Sequence, residues 1–445
     1  MVRVADPRRN GGTPATAGQR RRPTGAVVTI AAVPQPHRRR RFTGRDPTER
    51  DRASTPLELL YDLTIVVAYG TAADQLAEYV SEGRAATGIV GFVLAAFAVS
   101  WAWLNYSWFA SAYDTDDWYF RLATMVQMIG VIVLSLGLAQ MFASLEHGHS
   151  LDIGVMVGGY VVMRIGLVAL WAQVARQDPE RAPAARSYIV TVSIAQVGWV
   201  ALAVVGPSVG VAVGVFVVLT GFELLGPYLA ERKAPTPWNP SHIVERYGLL
   251  VIITLGEVII GTVAALNALV HGEAGWSVDA GLLVFAGVGL TLGCWWMYFS
   301  VPWVEPIVRH SQRGFMFGPF VFGYGHLVIF AALAAIGAGL HVAAISLEHE
   351  AEIGALATVL SVAIPIAIYV GMFYALYSLL MHQRDRFHIG LLAGTAAVLV
   401  LAVVLAAVGV SVAVCLVVMV LAPATTVVGY EIIGHRHITE ALERL

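Results

Sequence analysis

Beyond residue 55 the chain is written in long apolar runs, separated by short breaks in which polar residues gather. A helix rises about 1.5 Å per residue, so runs of twenty residues match a hydrocarbon core about 30 Å thick. The pattern predicts twelve spans, at 57–80, 86–110, 119–143, 152–175, 186–205, 208–230, 243–268, 279–300, 317–343, 354–380, 387–408 and 410–432. The expected fold class is an all-α integral membrane protein, a polytopic helical bundle of about 12 transmembrane helices embedded in a lipid bilayer.

Composition agrees. Of 445 residues 57% are hydrophobic and 13% charged, with a mean hydropathy of +0.70, whereas soluble domains carry about 25% charged residues. Residues 1–52 stand apart. They contain thirteen Arg, including "RRR" at 20–22 and "RRRR" at 38–41, and read as a disordered cytoplasmic tail. No specific nucleic-acid site is expected there, and no apolar core of signal-peptide length is present. Charge sets the orientation. With the amino terminus inside, inner loops hold Arg176, Arg181, Arg186, Arg232, Lys233, Arg309, Arg313, Arg384 and Arg386, and outer loops only Arg84. This follows the positive-inside rule and places both termini in the cytoplasm. Cys294 and Cys415 fall inside apolar segments and suggest neither a disulfide nor a metal site.

The two halves, 53–240 and 241–445, echo each other. Glu58 opens the first span and Glu245 the seventh. "WAWLNYSW" (101–108) closes the second and "CWWMYFS" (294–300) the eighth; "RSYIV" (186–190) opens the fifth and "RFHIG" (386–390) the eleventh. Six spans per half make a 6+6 parallel internal repeat, as in the halves of several transporter folds.

Charges inside the spans are the candidate chemistry, because an intramembrane charge is costly unless it faces a partner, water or the bundle interior. Glu58 and Asp62 lie four residues apart on one helix face, and Tyr69 returns to it. They read as a cation or proton entry path, or as helix-dipole stabilisation with a salt bridge. Glu245 and Arg246 mark the polar start of the seventh span, where Arg246 can neutralise Glu58 or Glu245. Glu257 lies twelve residues beyond Glu245, near the middle of the membrane. It is either a protonatable coupling group or a structural hydrogen-bonding residue. Arg164, the single charge of the fourth span, is the candidate partner for Glu257 or Asp62. Glu223 is expected to snorkel to the inner side. Gln127 and His326 are further polar positions, His326 either titratable or satisfied by packing. Asp114, Asp116 and Asp117 form a cytoplasmic acidic cluster, for a divalent cation or, preferably, for loop arginines. "HGH" (147–149) and "HRH" (435–437) are weak metal patterns, and "GVGLTLG" (287–293) supplies small residues for close helix packing. No catalytic constellation, metal site or cofactor is expected.

"TPLELLYDLTIV", "YDTDDW", "ERYGLLVIITLGE" and "CWWMYF" resemble, in order and spacing, the bacterial low temperature requirement protein A family. The likeness runs over residues 54–435. Two phenylalanines more often stand at Leu60 and Tyr61 in that family, and one at Tyr247; the departures keep bulk and add hydroxyls. The resemblance implies a bacterial multipass membrane protein linked to growth in the cold. It singles out Glu58, Asp62, Asp114, Asp116, Asp117, Glu245, Arg246, Gly256, Glu257, Trp296 and Tyr298, and gives none a catalytic role.

The reading these features favour is a secondary transporter or ion- or proton-coupled permease, with a proton or cation as the candidate partner. Asp62, Glu257 and His326 would then be its protonatable groups and Arg164 or Arg246 the counter-charge. The alternatives are a membrane-embedded enzyme acting on lipid or polyprenyl substrates at the interfacial acids, and a sensor or scaffold with every buried charge paired.

Overall fold

The computed structural model describes residues 39–49, 52–271, 275–312, 317–347, 351–381 and 386–434. Its helices, in chain order, are α1 (Pro56–Ser81), α2 (Ala85–Tyr113), α3 (Trp118–Leu136), α4 (Leu138–His147), α5 (Gly154–Gln177), α6 (Ala182–Val205) and α7 (Val209–Glu231). They continue with α8 (Pro240–His271), α9 (Val278–Phe299), α10 (Val304–Gln312), α11 (Phe317–Leu347), α12 (Ala355–Met381), α13 (Arg386–Ala407) and α14 (Val412–Gly429), and a π-helical turn follows at Tyr430–Gly434. No strand occurs among the described residues. Among the described residues eleven segments are long and apolar enough to cross a membrane, α3 with α4 and α9 with α10 each counting as one. The remaining expected span, α1, has 26 residues but carries Glu58, Asp62, Asp74 and Glu78, and is correspondingly less apolar.

The expected twelve spans therefore correspond to helices, with two refinements. The third is broken at Gly137, where a Cβ would lie 2.9 Å from the Met156 Cα of α5. The close approach favours Gly there, and the helix restarts as α4. After the eighth span the chain forms the short amphipathic α10, which hydropathy alone does not signal.

Helix α11 is the hub. It packs on α8, α12, α1, α2 and α10, while α6, α7 and α13 turn Val197, Val204, Val217, Val218, Ile389 and Val400 outward. An apolar outer surface around a buried hub is the arrangement a lipid solvent requires. Close crossings use small residues. Gly130 of α3 faces Gly159 of α5, its missing Cβ standing 2.6 Å from the Gly159 carbonyl oxygen. In "GVGLTLG", Gly287 meets Thr262 of α8, and Gly289 and Gly293 meet Val420 and Pro423 of α14. Neighbour order recurs between the halves: α1–α2, α1–α3, α3–α5, α5–α6 and α6–α7 answer to α8–α9, α8–α11, α11–α12, α12–α13 and α13–α14. The second half adds an extensive α9–α14 contact.

The tail needs a correction. Disorder was expected up to residue 52, yet residues 39–49 and 52 hold to the ends of the helices. Phe42 is fully buried beside Phe109 and Tyr119. Its amide donates to Gln177 at 3.0 Å, and that of Arg45 to the Ala112 carbonyl at 3.0 Å. The Arg52 guanidinium donates to the carbonyls of Ala110 and Ser111. Both carbonyls lie in the last turn of α2, where that of Ala110 also accepts the Asp114 amide at 3.0 Å, so a cation there meets the negative end of the helix dipole. Composition sees only the arginines; the single Phe and the helix end they serve lie outside a compositional reading. Residues 1–38, Arg313, Arg384 and "HRH" lie outside the described residues.

Candidate functional site

The site begins at the amino end of α1. Thr55 caps the helix reciprocally: its hydroxyl accepts from the Glu58 amide, and the Glu58 carboxylate accepts from the Thr55 amide at 2.7 Å. The same carboxylate lies 3.3 Å from His242 Nε2 of α8, both side chains fully buried. One turn deeper, Arg246 donates to both oxygens of Asp62, at 2.9 and 2.7 Å. Trp103 Nε1 donates to Asp62 at 2.7 Å, and Arg246 also donates to the Ser107 hydroxyl at 3.1 Å. The guanidinium stands over the Trp103 and Tyr106 rings. Asp62 and Arg246 are both 0% exposed. The i, i+4 spacing on α1 thus lines up with the i, i+4 spacing of His242 and Arg246 on α8, and two acids meet two bases across one helix crossing.

Two further acids are held in networks. Glu223 of α7 accepts from Arg164 at 3.0 Å, Tyr160 at 2.7 Å and Trp199 at 2.8 Å. Glu231 accepts from Tyr188 at 2.8 Å and from the Thr236 amide and hydroxyl, each at 2.8 Å. These facts correct three expectations. Arg164 serves neither Asp62 nor Glu257, because α5 packs against α3 and α6 and presents it to α7's acid. Glu223 does not snorkel but is buried. Arg246 pairs with Asp62, as its counter-charge role allowed, rather than with Glu58 or Glu245; Glu245 is exposed and, among the described residues, accepts the Ser54 amide at 3.1 Å.

Tyr69 is fully buried and paired with the Ser100 hydroxyl, so the polar face of α1 is real but ends against α2. His326 is satisfied at both ring nitrogens, by the Tyr298 hydroxyl at 2.8 Å and the Phe322 carbonyl at 2.7 Å; this is its packing alternative. Gln127 is buried, and its amide donates to the Ala123 carbonyl at 3.4 Å. Trp296 donates to Glu431 at 3.0 Å.

The acids between α2 and α3 do not converge. Asp117 caps α3 through the Phe120 amide and accepts the Arg40 amide at 2.8 Å. Asp116, in a left-handed conformation (φ 47°), pairs with Arg121 at 2.9 Å. Asp114 accepts the Asp116 amide at 2.7 Å. Among the described residues no group of three or more His, Cys, Asp or Glu is placed to hold a metal ion. Burial, with the nearby Glu58 charge, pushes the Asp114 carboxyl up to about 6, although the Asp116 amide, Arg52 and Arg45 pull the other way. A raised carboxyl makes the folded state hold its proton longer than the unfolded chain, so stability falls as pH rises from about 4 to about 6. Asp114→Asn is expected to flatten that segment of a melting-temperature profile in detergent, a difference of up to about 3 kcal/mol at about 1.4 kcal/mol per unit.

Glu257 differs from every acid above. It lies 17 residues into α8, about 25 Å along the helix, and is 7% exposed. No hydrogen bond or ion pair holds its carboxyl among the described residues. It fits beside two glycines. A Cβ on Gly70 of α1 would stand 3.1 Å from its Oε1, and one on Gly337 of α11 would stand 3.0 Å from its Cβ. Reading the sequence span by span found Glu257 but not His242, Trp103, Ser107, Glu231 or Arg52. The signal for His242 was present: it precedes Arg246 by the same four residues that separate Glu58 from Asp62.

Long apolar helices, with charge pairs buried between them and, among the described residues, a mid-helix carboxyl at Glu257 without a hydrogen bond, define a multipass membrane protein. The model of the family described as Bacterial low temperature requirement A protein (LtrA) matches residues 53–423. The chain belongs to that family. It is also 26% identical over 322 residues to an uncharacterized protein of Rhizobium meliloti (strain 1021), covering 70% of this chain and 73% of the relative. No solved structure matches the chain.

Proposed function

We propose that the protein is a secondary transporter or proton- or cation-coupled permease of the bacterial cytoplasmic membrane, both termini inside, with Glu257 as the coupling carboxyl. The observation that carries this reading is the contrast among the buried acids. Glu58, Asp62, Glu223 and Glu231 are each held by named donors or a base, whereas Glu257 stands at the junction of α1, α8 and α11 without one among the described residues. A carboxyl in that position is free to take up or release a cation as its surroundings change. Like packing order in the two halves supports a parallel repeat, the architecture in which one half rocks against the other. Asp62–Arg246 joins the first half to the second and is suited to hold one of two arrangements. The enzyme alternative has less support, because Asp114, Asp116 and Asp117 are engaged in a cap, a turn and an ion pair rather than gathered around one point.

The test is flux. Purified protein reconstituted with a trapped pH dye should pass protons or a monovalent cation, and Glu257→Gln should lower that flux by at least about tenfold while melting like the native protein. No flux from the native chain, with a marked loss of stability in Glu257→Gln, would falsify the reading and make Glu257 a structural residue.

A further inference from the structure

The acids already described lie toward the amino end of α1, but α1 carries a second polar group at its other end, and it bears on Glu257. Asp74 follows Gly70 by one turn, and His341 follows Gly337 by one turn. Both glycines touch Glu257. Asp74 and His341 meet each other, Oδ1 to Nδ1, at 3.2 Å, and they are 65% and 37% exposed. Helices α1, α8 and α11 pack pairwise, so Glu257, Asp74 and His341 are contributed by three helices around one junction.

Depth gives the arrangement its meaning. Asp74 lies 18 residues beyond Pro56, about 27 Å along α1, so in a core about 30 Å thick it reaches the far interface. A charge exposed to lipid is costly, and one at the interface is not. Glu257 sits one turn, about 6 Å, below that pair. It also keeps a small exposure, where Asp62 and Arg246 have none. On the near side the fully buried Asp62–Arg246 pair stands between α1 and α8.

We infer that Asp74 and His341 form the entry through which Glu257 communicates with the side of the membrane on which α1 ends, passing a proton or other monovalent cation. The inference deepens the transport reading above and rests on it for its purpose, though not for its geometry. Asp74 supplies the acceptor at the water boundary. His341 faces it from α11 and holds Asp74 at 3.2 Å. The glycines at 70 and 337 add no side chain of their own between pair and carboxyl. Glu78, one turn further out on α1 and exposed, extends the acidic edge into solvent.

Chemical access tests this without requiring transport. In sealed vesicles of known orientation, a membrane-impermeant water-soluble carbodiimide with glycinamide is added from one side, and the Glu257 peptide is read by mass spectrometry. Labelling of Glu257 is expected from the side on which α1 ends and not from the other. Asp74→Leu and His341→Phe should each lower it by about tenfold, by replacing a polar entry with an apolar one. A lipid-soluble carbodiimide should still label Glu257 equally in all three proteins, which shows that the variants fold. Labelling from the opposite side alone, labelling by the lipid-soluble reagent alone, or labelling unchanged in both variants overturns the inference. Side-specific labelling in a protein that carries no flux upholds the entry and overturns the transport reading instead.

Discussion

Arg246→Leu is expected to leave almost no folded protein in membranes or detergent. The substitution strips Asp62 of both guanidinium bonds, at 2.9 and 2.7 Å, in a place where neither side chain has any exposure. Removing one member of a buried pair costs about 3–5 kcal/mol, because the other remains as an uncompensated charge. Trp103 still donates to Asp62 at 2.7 Å, but one neutral donor does not replace a bidentate cation. The reciprocal change, Asp62→Leu, should fail equally, since Arg246 would keep the Ser107 hydroxyl and two ring faces but no counter-charge in direct contact. The double variant Asp62→Leu with Arg246→Leu separates charge from packing. Exchanging a whole buried pair for apolar residues is often neutral or stabilising. Here it also orphans the Trp103 N–H, at about 1–3 kcal/mol, so recovery should be large but incomplete. Folded yields of the four proteins, read by size-exclusion chromatography in detergent, show whether the two side chains act as one unit: both singles should be lost and the double largely recovered. A double variant that melts near the native temperature yet loses flux would place the pair in the transport cycle; one that keeps flux would make it a fastening between halves.

How much of this was readable beforehand divides by distance along the chain. The helices follow from apolar run length, a local property, and their ends follow within a few residues. The polar face of α1 follows from the spacing of Glu58 and Asp62. Partners do not follow, because Asp62 and Arg246 are 184 residues apart and their meeting depends on how α1 crosses α8. Arg164 shows the same limit: depth in its span suits Glu257, but α5 faces α3 and α6. Asp74 and His341 were passed over because each lies near a helix end, where a polar residue is ordinary; their value appears only when Gly70 and Gly337 bring α1 and α11 to Glu257. The ordered stretch before α1 was missed for a different reason. An arginine-rich composition predicts solvation, and what orders residues 39–49 and 52 is the set of helix termini and ring faces they cover.

Gly337→Val is the second large effect, and it bears directly on Glu257. Any side chain at position 337 would place its Cβ 2.5 Å from the carbonyl oxygen of Glu257 and 2.6 Å from its carbonyl carbon. These are backbone atoms of a helix and cannot swing aside as a flexible side chain would. Gly261 makes the reciprocal approach, its own Cβ position falling against the Gly337 carbonyl and 3.1 Å from the Leu340 Cβ. Helices α8 and α11 must therefore separate, along one of the most extensive contacts in the molecule. Overpacking costs about 1–3 kcal/mol and occasionally more, and a backbone clash at a hub helix belongs at the upper end. Without an apolar solvent effect between helices, such close packing is also what holds them together in lipid. Gly256→Ala is the matched control. It adds a Cβ next to Glu257 in the same helix, with nothing within 4 Å of it, and Ala exceeds Gly in helix propensity by about 1 kcal/mol. Expected melting temperatures therefore rank Gly256→Ala at or above native, Gly337→Ala below it and Gly337→Val lowest, and flux should fall in step for the two changes at 337. If Gly337→Ala melts like the native protein and carries the same flux, α11 does not close on Glu257 as tightly as its backbone distances require, and the carboxyl owes its position to α8 alone.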